Sequence, residues 1–365
     1  MKNKKKTYRK IYDFYASDLS YSEFERLIKQ EAPEVYDFYV RRMKHPDAKT
    51  RNPLKRYLQF LWYLFLEFLE RLSPLRRLFY SCAFIFFIWG NFTEQWNYAA
   101  LGFFMLNILL AFEVADKLTA KSELEVARDI QDSMMPSNAP FNKYFDIACY
   151  YETAREVGGD YLDFISSDNA DGRMYFVIGD ISGKGMGAAV RMVQVQAVLK
   201  YLINNCSGPK AILGALNRNS RQILSPDNFF TASLASLDTD GVFSFSRAGH
   251  TPLLHYNCLL KKAQNITPAG MGIGMRDNGM FDKVIEEVTL PVCCGDIFVF
   301  YTDGVTETMN PEKRLYGEEL LKATIERNAN KSASELKDIL LRSVENFRRS
   351  NIPQDDMTFL ILKVK

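Results

Sequence analysis

The residues with the clearest potential for chemistry lie in FVIGDISGKGMG, residues 176–187. An apolar run that indicates a buried strand ends at Asp180, and a turn rich in glycine follows it. A carboxylate at the end of a strand, where glycines let the backbone approach closely, suits a hard metal ion or a phosphate group. Taken alone, the stretch fits a strand followed by a flexible turn equally well. The positions of the other acids must decide between these interpretations.

Further aspartates stand beside apolar runs in the same part of the chain: Asp160, Asp303, Asp355 and Asp356. A single aspartate at such a place is commonly a turn residue or a helix cap. Several of them at strand ends in one domain predict instead that a buried sheet brings the carboxylates to a common edge. Because no His or Cys cluster accompanies them, the set favours Mg²⁺ or Mn²⁺ over zinc. Two such ions bridged by carboxylates would activate a shared water to attack phosphorus in line.

The elements that must position these acids are short strand-like runs and paired helical patterns. The strand-like runs are grouped, and the helical patterns cover residues 186–204, 209–224, 317–328 and 332–350. This grouping indicates an α+β domain with extensive antiparallel sheet rather than a repeated βαβ unit. We assign the domain to residues 137–365.

The amino-terminal third has a different character. The first 77 residues carry 18 Lys or Arg against 10 Asp or Glu, although the whole chain has a net charge of only +2. A basic start beside apolar segments indicates an anionic membrane face rather than nucleic acid. Residues 1–52 lack the apolar core of a signal peptide, so we expect a basic cytoplasmic region there. The six cysteines show no metal-ligand spacing and indicate free thiols in a reducing compartment.

Residues 53–117 are predicted to form a membrane region. The segment 54–72 favours a helix at the bilayer surface, with a buried soluble helix as the alternative. Two spanning helices are predicted at about 74–92 and 96–115, since each contains an uncharged apolar run and the connector between them lacks Lys and Arg. This hairpin predicts a multi-pass protein of the inner or cytoplasmic membrane with its catalytic domain in the cytoplasm. A hydrophobic packing or dimerisation domain is the alternative.

A linker helix is predicted over residues 118–136. One apolar stripe recurs at gaps of three or four residues and comprises Ala120, Leu124, Ala127, Ile130 and Met134. Pro136 ends the pattern. The stripe fits either a short coiled coil that makes a homodimer or a helix packed on its own domain.

The motifs occur in an order that resembles one family over about residues 120–365. They are ARDIQDSMMP, EVGGDYLDF, FVIGDISGKGMGAA, RAGHTPLLHY, FVFYTDGVTE and DDMTFLIL. This series resembles the bacterial SpoIIE/RsbU branch of the PPM (PP2C-like) serine/threonine phosphatases. The resemblance implies an α-β-β-α sandwich, preceded here by the membrane hairpin and the linker helix, with two Mn²⁺ or Mg²⁺ ions at one edge of its sheets.

The resemblance also implies roles for individual residues. Asp180 resembles the ligand that bridges both metals, and the Ile181 carbonyl resembles the accompanying backbone ligand. Asp160 resembles a ligand of one metal, and Asp303 and Asp355 resemble ligands of the other. Asp180 and Asp160 are therefore the expected catalytic residues.

Some positions depart from the family pattern or remain open. Asp356 stands where many eukaryotic members have Asn, so it ranks below Asp355 as a ligand. Ser182 replaces the His that is often assigned as general acid, which leaves water at the metal as the expected proton source. His250 is expected to fix a turn rather than to act in catalysis. Lys184 could meet a phosphate or simply be solvated.

The sequence thus predicts a membrane-anchored, metal-dependent phosphatase that acts on phosphoserine or phosphothreonine. The resemblance implies a phosphorylated regulatory protein as substrate, with a STAS-domain anti-sigma-factor antagonist as the expected partner. The alternative is a catalytically silent interaction module, a pseudophosphatase tethered to the membrane. A diguanylate cyclase is excluded, because Tyr161 and Leu162 follow Gly158, Gly159 and Asp160 where a GGDEF motif requires Glu and Phe.

Overall fold

A computed structural model describes most of the chain from residue 59 onward. The described residues are 59, 62–63, 65–70, 72–136, 138–167, 172–224, 228–275, 279–349 and 353–365. The predictions for residues 1–52, and for much of segment 54–72, lie outside these residues. The chain divides into two compact units, Met1–Thr119 and Ala120–Lys365.

Two helices dominate the described part of the first unit. Helix α1 covers Pro74–Phe92, and helix α2 begins at Trp96 and continues to Met134. The guanidinium of Arg76 lies 3.0 Å from the Glu113 carboxylate and 2.7 Å from that of Asp116. Close helix contact also depends on Gly102, since a Cβ there would lie 2.5 Å from the Phe87 backbone nitrogen.

The prediction of two spanning helices is supported for one segment only. Among the described residues, α2 is the one helix long and apolar enough to cross a membrane, as judged by length and composition. Helix α1 includes Arg76 and Arg77 near its start, which lowers its mean hydropathy. The multi-pass prediction therefore has no support. Helix α2 runs unbroken from the second predicted span through the predicted linker to Met134, so the two predicted segments form one helix.

The second unit contains two five-stranded antiparallel sheets, which confirms the predicted α+β class. The first sheet has the order β1-β10-β9-β6-β7 and the second has the order β2-β3-β4-β5-β8. The strands are β1 Phe145–Glu152, β2 Asp160–Ser166, β3 Met174–Ile181, β4 Phe230–Leu237, β5 Phe243–Ala248, β6 Leu253–Asn257, β7 Lys262–Ile266, β8 Glu287–Leu290, β9 Ile297–Tyr301 and β10 Met357–Val364.

Paired helices cover the outer faces of the two sheets. Helices α3, Met186–Ile203, and α4, Pro209–Ile223, pack on the second sheet. The first sheet is covered by a later pair, α7 at Gly317–Arg327 and α8 at Ala333–Arg348. Two short helices, α5 at Phe281–Val284 and α6 at Asp303–Thr306, lie in connections between these elements. This arrangement is the predicted α-β-β-α sandwich.

Strand β9 is apolar along its whole length because both of its faces are buried. In β9, Phe298 and Phe300 belong to the cluster that includes the space between the sheets. Their neighbours Ile297, Val299 and Tyr301 belong to the cluster beneath α7 and α8. Side chains alternate across a strand, so a strand buried on both faces reads as an uninterrupted apolar run.

Aromatic rings from both sheets fill the layer between them. The ring of Phe243 lies 5.4 Å from that of Phe145 and 5.0 Å from that of Phe298, measured between centroids. Phe145 also contacts Phe176 edge to face at 6.0 Å. These contacts join the two sheets into one core, and that core fixes the relative positions of the strand ends that carry the acids.

Candidate metal and catalytic site

The fold brings the predicted acids to one edge of the sandwich. Asp160 opens β2 and is paired directly with Asp180, the penultimate residue of β3. On the neighbouring sheet, Asp303 follows the end of β9 closely, and Asp355 and Asp356 precede the start of β10. Because β9 and β10 are antiparallel neighbours, the end of one strand lies beside the start of the other. Their roles as ligands remain predictions.

Asp160 is buried and held by two threonine hydroxyls. Thr302 Oγ1 donates to Asp160 Oδ2 at 2.9 Å, and Thr358 Oγ1 donates to the same oxygen at 2.5 Å. Burial raises the pKa of Asp160 well above its usual range, and the charges of Asp180 and Asp356 raise it further. The two hydroxyls act in the opposite direction, since they stabilise the carboxylate. The arrangement orients the Asp160 side chain and favours a nearby cation.

Asp180 is affected by three of the neighbouring acids. Burial raises its pKa to about 7, with further contributions from Asp303, Asp355 and Asp356. The ammonium of Lys184 opposes this rise. Such clustered carboxylates repel one another, and a divalent cation would relieve that repulsion.

Asp303 has a raised pKa for a related set of reasons. Burial is the main cause, followed by the charges of Glu307 and Asp355. The backbone N–H of Gly304 and the ammonium of Lys184 partly offset the rise. The negative charge of the acids at this edge is therefore only partly offset by the Gly304 N–H and the Lys184 ammonium.

The adjacent acids Asp355 and Asp356 have different surroundings. Asp355 Oδ2 lies 2.7 Å from Lys184 Nζ, and this side chain is half-exposed. Asp356 is buried and accepts a hydrogen bond on each oxygen, from Ala154 N at 2.9 Å and from Gly159 N at 2.7 Å. Asp356 therefore anchors the loop that leads into β2, whereas Asp355 faces the solvent side of the cluster.

Two glycines in that loop keep space open beside the acids. A Cβ at Gly159 would lie 2.8 Å from the Ile181 carbonyl oxygen and 2.9 Å from Asp180 Oδ1. A Cβ at Gly158 would lie only 2.2 Å from Asp356 Oδ2. Any larger residue would therefore displace these oxygens, and the two oxygens predicted to bind metal face the same gap.

The donor set fits a hard divalent ion. Carboxylate and carbonyl oxygens of the kind gathered here are the ligands that Mg²⁺ and Mn²⁺ prefer. Among the residues that the structure describes, no three His, Cys, Asp or Glu side chains already converge as a complete metal site. The gap at Gly159 and the mutual repulsion of the acids nevertheless match the oxygen-only set that the sequence predicted.

Two other sequence candidates have structural contacts. Ser182 Oγ accepts a hydrogen bond from Phe229 N at 2.8 Å, and Ser182 N donates to Phe229 O at 2.9 Å. Ser182 therefore joins the ends of β3 and β4. His250 is buried, and its Nδ1 lies 2.9 Å from the hydroxyl of Thr231, the residue paired with Asp180. Burial and the charge of Arg247 lower the pKa of His250 to about 3, so its ring is neutral near pH 7.

Sequence reasoning missed three residues that support the site. Thr302 and Thr358 hold Asp160, and Gln131 near the end of α2 contacts Gly158. The signal for the threonines was their place next to acids in FVFYTDG and DDMTF. The contact of Gln131 could not be foreseen, because it depends on how α2 packs against a loop 27 residues away.

Comparisons with known proteins agree with this architecture. The family model described as stage II sporulation protein E (SpoIIE) matches residues 170–365. Phosphoserine phosphatase RsbU of Bacillus subtilis (strain 168) is 27% identical over 249 residues, which are 67% of this chain and 71% of that protein. Phosphoserine phosphatase RsbP of the same organism is 25% identical over 255 residues, covering 68% of this chain and 59% of RsbP.

A solved structure shows the same fold. The SiaA-PP2C domain of Pseudomonas aeruginosa superposes with a TM-score of 0.60 at 19% identity, covering 69% of this chain and 98% of that domain. Together with the two antiparallel sheets and their paired helices, this likeness confirms the predicted PP2C-like sandwich. The chain therefore belongs to the SpoIIE family and carries a PP2C-like phosphatase domain, as the order of its motifs predicted.

Proposed function

We propose that this enzyme hydrolyses phosphoserine or phosphothreonine on a regulatory partner protein and depends on two Mn²⁺ or Mg²⁺ ions. The observation that carries the proposal is the convergence of Asp303, Asp355 and Asp356 on Asp180, whose pKa they help raise to about 7. Clustered carboxylates of this kind have a high electrostatic cost in the absence of cations. Perturbed groups at a sheet edge are typical of a catalytic centre.

Five groups would hold the ions: Asp160, Asp180, the Ile181 carbonyl, Asp303 and Asp355, with Asp356 ranked below them. When bound, the ions would act as Lewis acids that activate water and stabilise charge on the phosphoryl group. The chain's own contribution is positioning. Thr302 and Thr358 orient Asp160, and the missing side chain at Gly159 leaves the oxygens of Asp180 and Ile181 accessible.

A cleft beside Asp355 offers room for a phosphorylated segment. Its volume is about 240 Å³, and its lining includes Lys184, Glu307, Arg348 and Asp355. Basic and acidic side chains occur together there, which suits a polar peptide with a phosphate better than an apolar ligand. A protein substrate is therefore favoured over an apolar small molecule.

The proposed partner rests on the family resemblance, and the proposed location rests on helix α2. The relative named phosphoserine phosphatase RsbU supports serine as the dephosphorylated residue. We propose a STAS-domain anti-sigma-factor antagonist as the substrate, since the motif series resembles the branch that acts on such proteins. We also propose that α2 attaches the chain to the membrane and that its C-terminal part pairs two copies. Leu118, Val126 and Ile130 are exposed on that helix, with fractions of 62%, 57% and 54%, and are available for such pairing.

The direct test is hydrolysis of a phosphoserine peptide by the full-length chain with and without Mn²⁺. We expect activity that requires the metal and is lost in Asp180→Asn, because the amide lacks the negative charge that would help hold the ions. Asp240→Asn is the matched control, since Asp240 is exposed in the turn between β4 and β5 and should be dispensable. Full activity of Asp180→Asn would refute the proposal.

The alternative is an interaction module that binds its partner without hydrolysis. Its one structural support is that no complete metal site is already assembled among the described residues. A binding surface gives no reason to bury repelling carboxylates such as Asp160. Calorimetric titration of Mn²⁺ separates the two, because the module predicts no heat of metal binding.

A further inference from the structure

Lys184 lies between two glycines with positive φ angles. The residues on either side, Gly183 and Gly185, have φ angles of 107° and 72°, which favour glycine. A Cβ placed at either glycine would meet no atom within 4 Å. Neither flanking position is therefore packed, and the backbone around Lys184 has room to change conformation.

The ammonium of Lys184 lies at the acid cluster. Lys184 Nζ is 2.7 Å from Asp355 Oδ2 and 3.1 Å from the carbonyl oxygen of Gln354. The side chains of Lys184 and Asp355 are 48% and 47% exposed, so both reach solvent. The charge of Lys184 also acts on Asp180 and Asp303, where it opposes the effect of the neighbouring acids. A tethered cation thus partly neutralises the cluster.

We propose that Lys184 is a built-in counter-ion that occupies Asp355 until a divalent metal binds, and that it then moves into the adjoining cleft. The inference rests on the proposed metal-dependent function. Asp355 Oδ2 contacts the ammonium of Lys184. A metal ion bound to the same carboxylate would repel that ammonium. Lys184 already lines the cleft of about 240 Å³, so the displaced ammonium would remain beside the incoming substrate.

A second lysine–aspartate pair provides a comparison for Lys184 and Asp355. Lys200 Nζ lies 3.2 Å from Asp163 Oδ2, and the Lys200 side chain is 51% exposed. Asp163 Oδ2 also accepts hydrogen bonds from Tyr161 Oη and Gln196 Nε2, each at 3.0 Å. The Asp163 carboxylate is thus stabilised without its lysine, and it stands outside the predicted ligand set. Lys200 is therefore a matched control for Lys184.

The first experiment is calorimetric titration of Mn²⁺ into the full-length chain and two variants, Lys184→Met and Lys200→Met. Removing the competing ammonium should tighten Mn²⁺ binding by about two- to fivefold, which corresponds to a half-exposed ion pair. Lys200→Met should bind like the wild type. Unchanged or weaker binding by a folded Lys184→Met, beside a wild type that binds Mn²⁺, would overturn this inference alone. Absence of binding by the wild type would overturn the metal-dependent function as well.

The second experiment uses only the wild-type chain and does not depend on the folding of a variant. Lysine amines are acetylated with a water-soluble reagent, with and without saturating Mn²⁺, and labelling is quantified by mass spectrometry. Labelling of Lys184 should rise when the metal releases its ammonium, while labelling of Lys200 stays constant. Equal labelling of Lys184 in both conditions would show that the ion pair persists and that the proposed exchange does not occur.

Discussion

The side chain of Gln131 and the backbone of Gly158 are joined by two hydrogen bonds. Gln131 Nε2 donates to Gly158 O at 2.9 Å, and Gly158 N donates to Gln131 Oε1 at 3.1 Å. Gln131 is only 2% exposed. The next residue, Gly159, donates its N–H to Asp356, and Asp160 follows. The end of α2 is thus connected to the acid cluster through two successive glycines.

Replacement of Gln131 by Ala should weaken both the loop and metal binding. The buried N–H and C=O of Gly158 would lose their partners, which costs about 1–3 kcal/mol of unfolding free energy. The loop would then hold Asp160 and Asp356 less firmly, so Mn²⁺ affinity should also fall. Urea unfolding and Mn²⁺ calorimetry measure the two effects. Gln264→Ala is the control, because Gln264 is exposed on β7. Normal Mn²⁺ affinity in Gln131→Ala would show that this contact does not position the site.

Replacement of Leu124 by Pro should uncouple α2 from the site. A proline inside a helix costs about 3 kcal/mol or more and removes a backbone hydrogen bond. Leu124 lies about two turns before Gln131 on a partly buried face of α2. The contacts between Gln131 and Gly158 should therefore be weakened, and hydrolysis of a phosphoserine peptide should slow. Leu124→Ala keeps the helix and serves as control, and an unaffected rate in Leu124→Pro would count against coupling through α2.

The metal-free chain should lose stability as the pH rises from about 4 to about 7. Asp180 has a folded-state pKa of about 7, above the usual value of an unfolded aspartate, so the folded state binds more protons in this window. The raised pKa values of Asp160 and Asp303 act in the same direction. Thermal unfolding in EDTA across this range measures the effect, and Asp180→Asn should flatten it. An identical slope in that variant would contradict the assignment.

Replacement of Thr358 by Val should weaken metal binding while the fold is retained. Valine has a similar shape but cannot donate to Asp160 Oδ2, so the orientation of that carboxylate would depend on Thr302 alone. Loss of such a supporting hydrogen bond typically costs about tenfold or more in metal affinity. Mn²⁺ calorimetry on Thr358→Val and Thr358→Ser gives the comparison. Because serine keeps the hydroxyl, equal losses in both variants would exclude the hydrogen bond as the cause.

The order of acids and apolar runs in the sequence was enough to predict the class of fold and the edge at which the acids meet. Strands buried on both faces are uninterrupted apolar runs. Acids that flank such runs lie at the edge of the core, where neighbouring strand ends bring them together. The same local signals correctly separated antiparallel sheets from a repeated βαβ unit. The membrane hairpin was predicted less well. Helix α1 has the predicted bounds, but Arg76 and Arg77 lower its mean hydropathy, and local patterns did not show that α2 continues unbroken to Met134.

Only the tertiary structure decided how the site is supported. The register that sets Asp160 opposite Asp180 is a pairing between strands, and the two threonines on Asp160 come from positions 142 and 198 residues away. The bond from Gly159 to Asp356 likewise joins segments 197 residues apart. Sequence patterns relate residues that are close along the chain, whereas these contacts depend on the packing of the two sheets. The residues predicted to carry the chemistry were therefore visible in the sequence, and the residues that hold them in place were not.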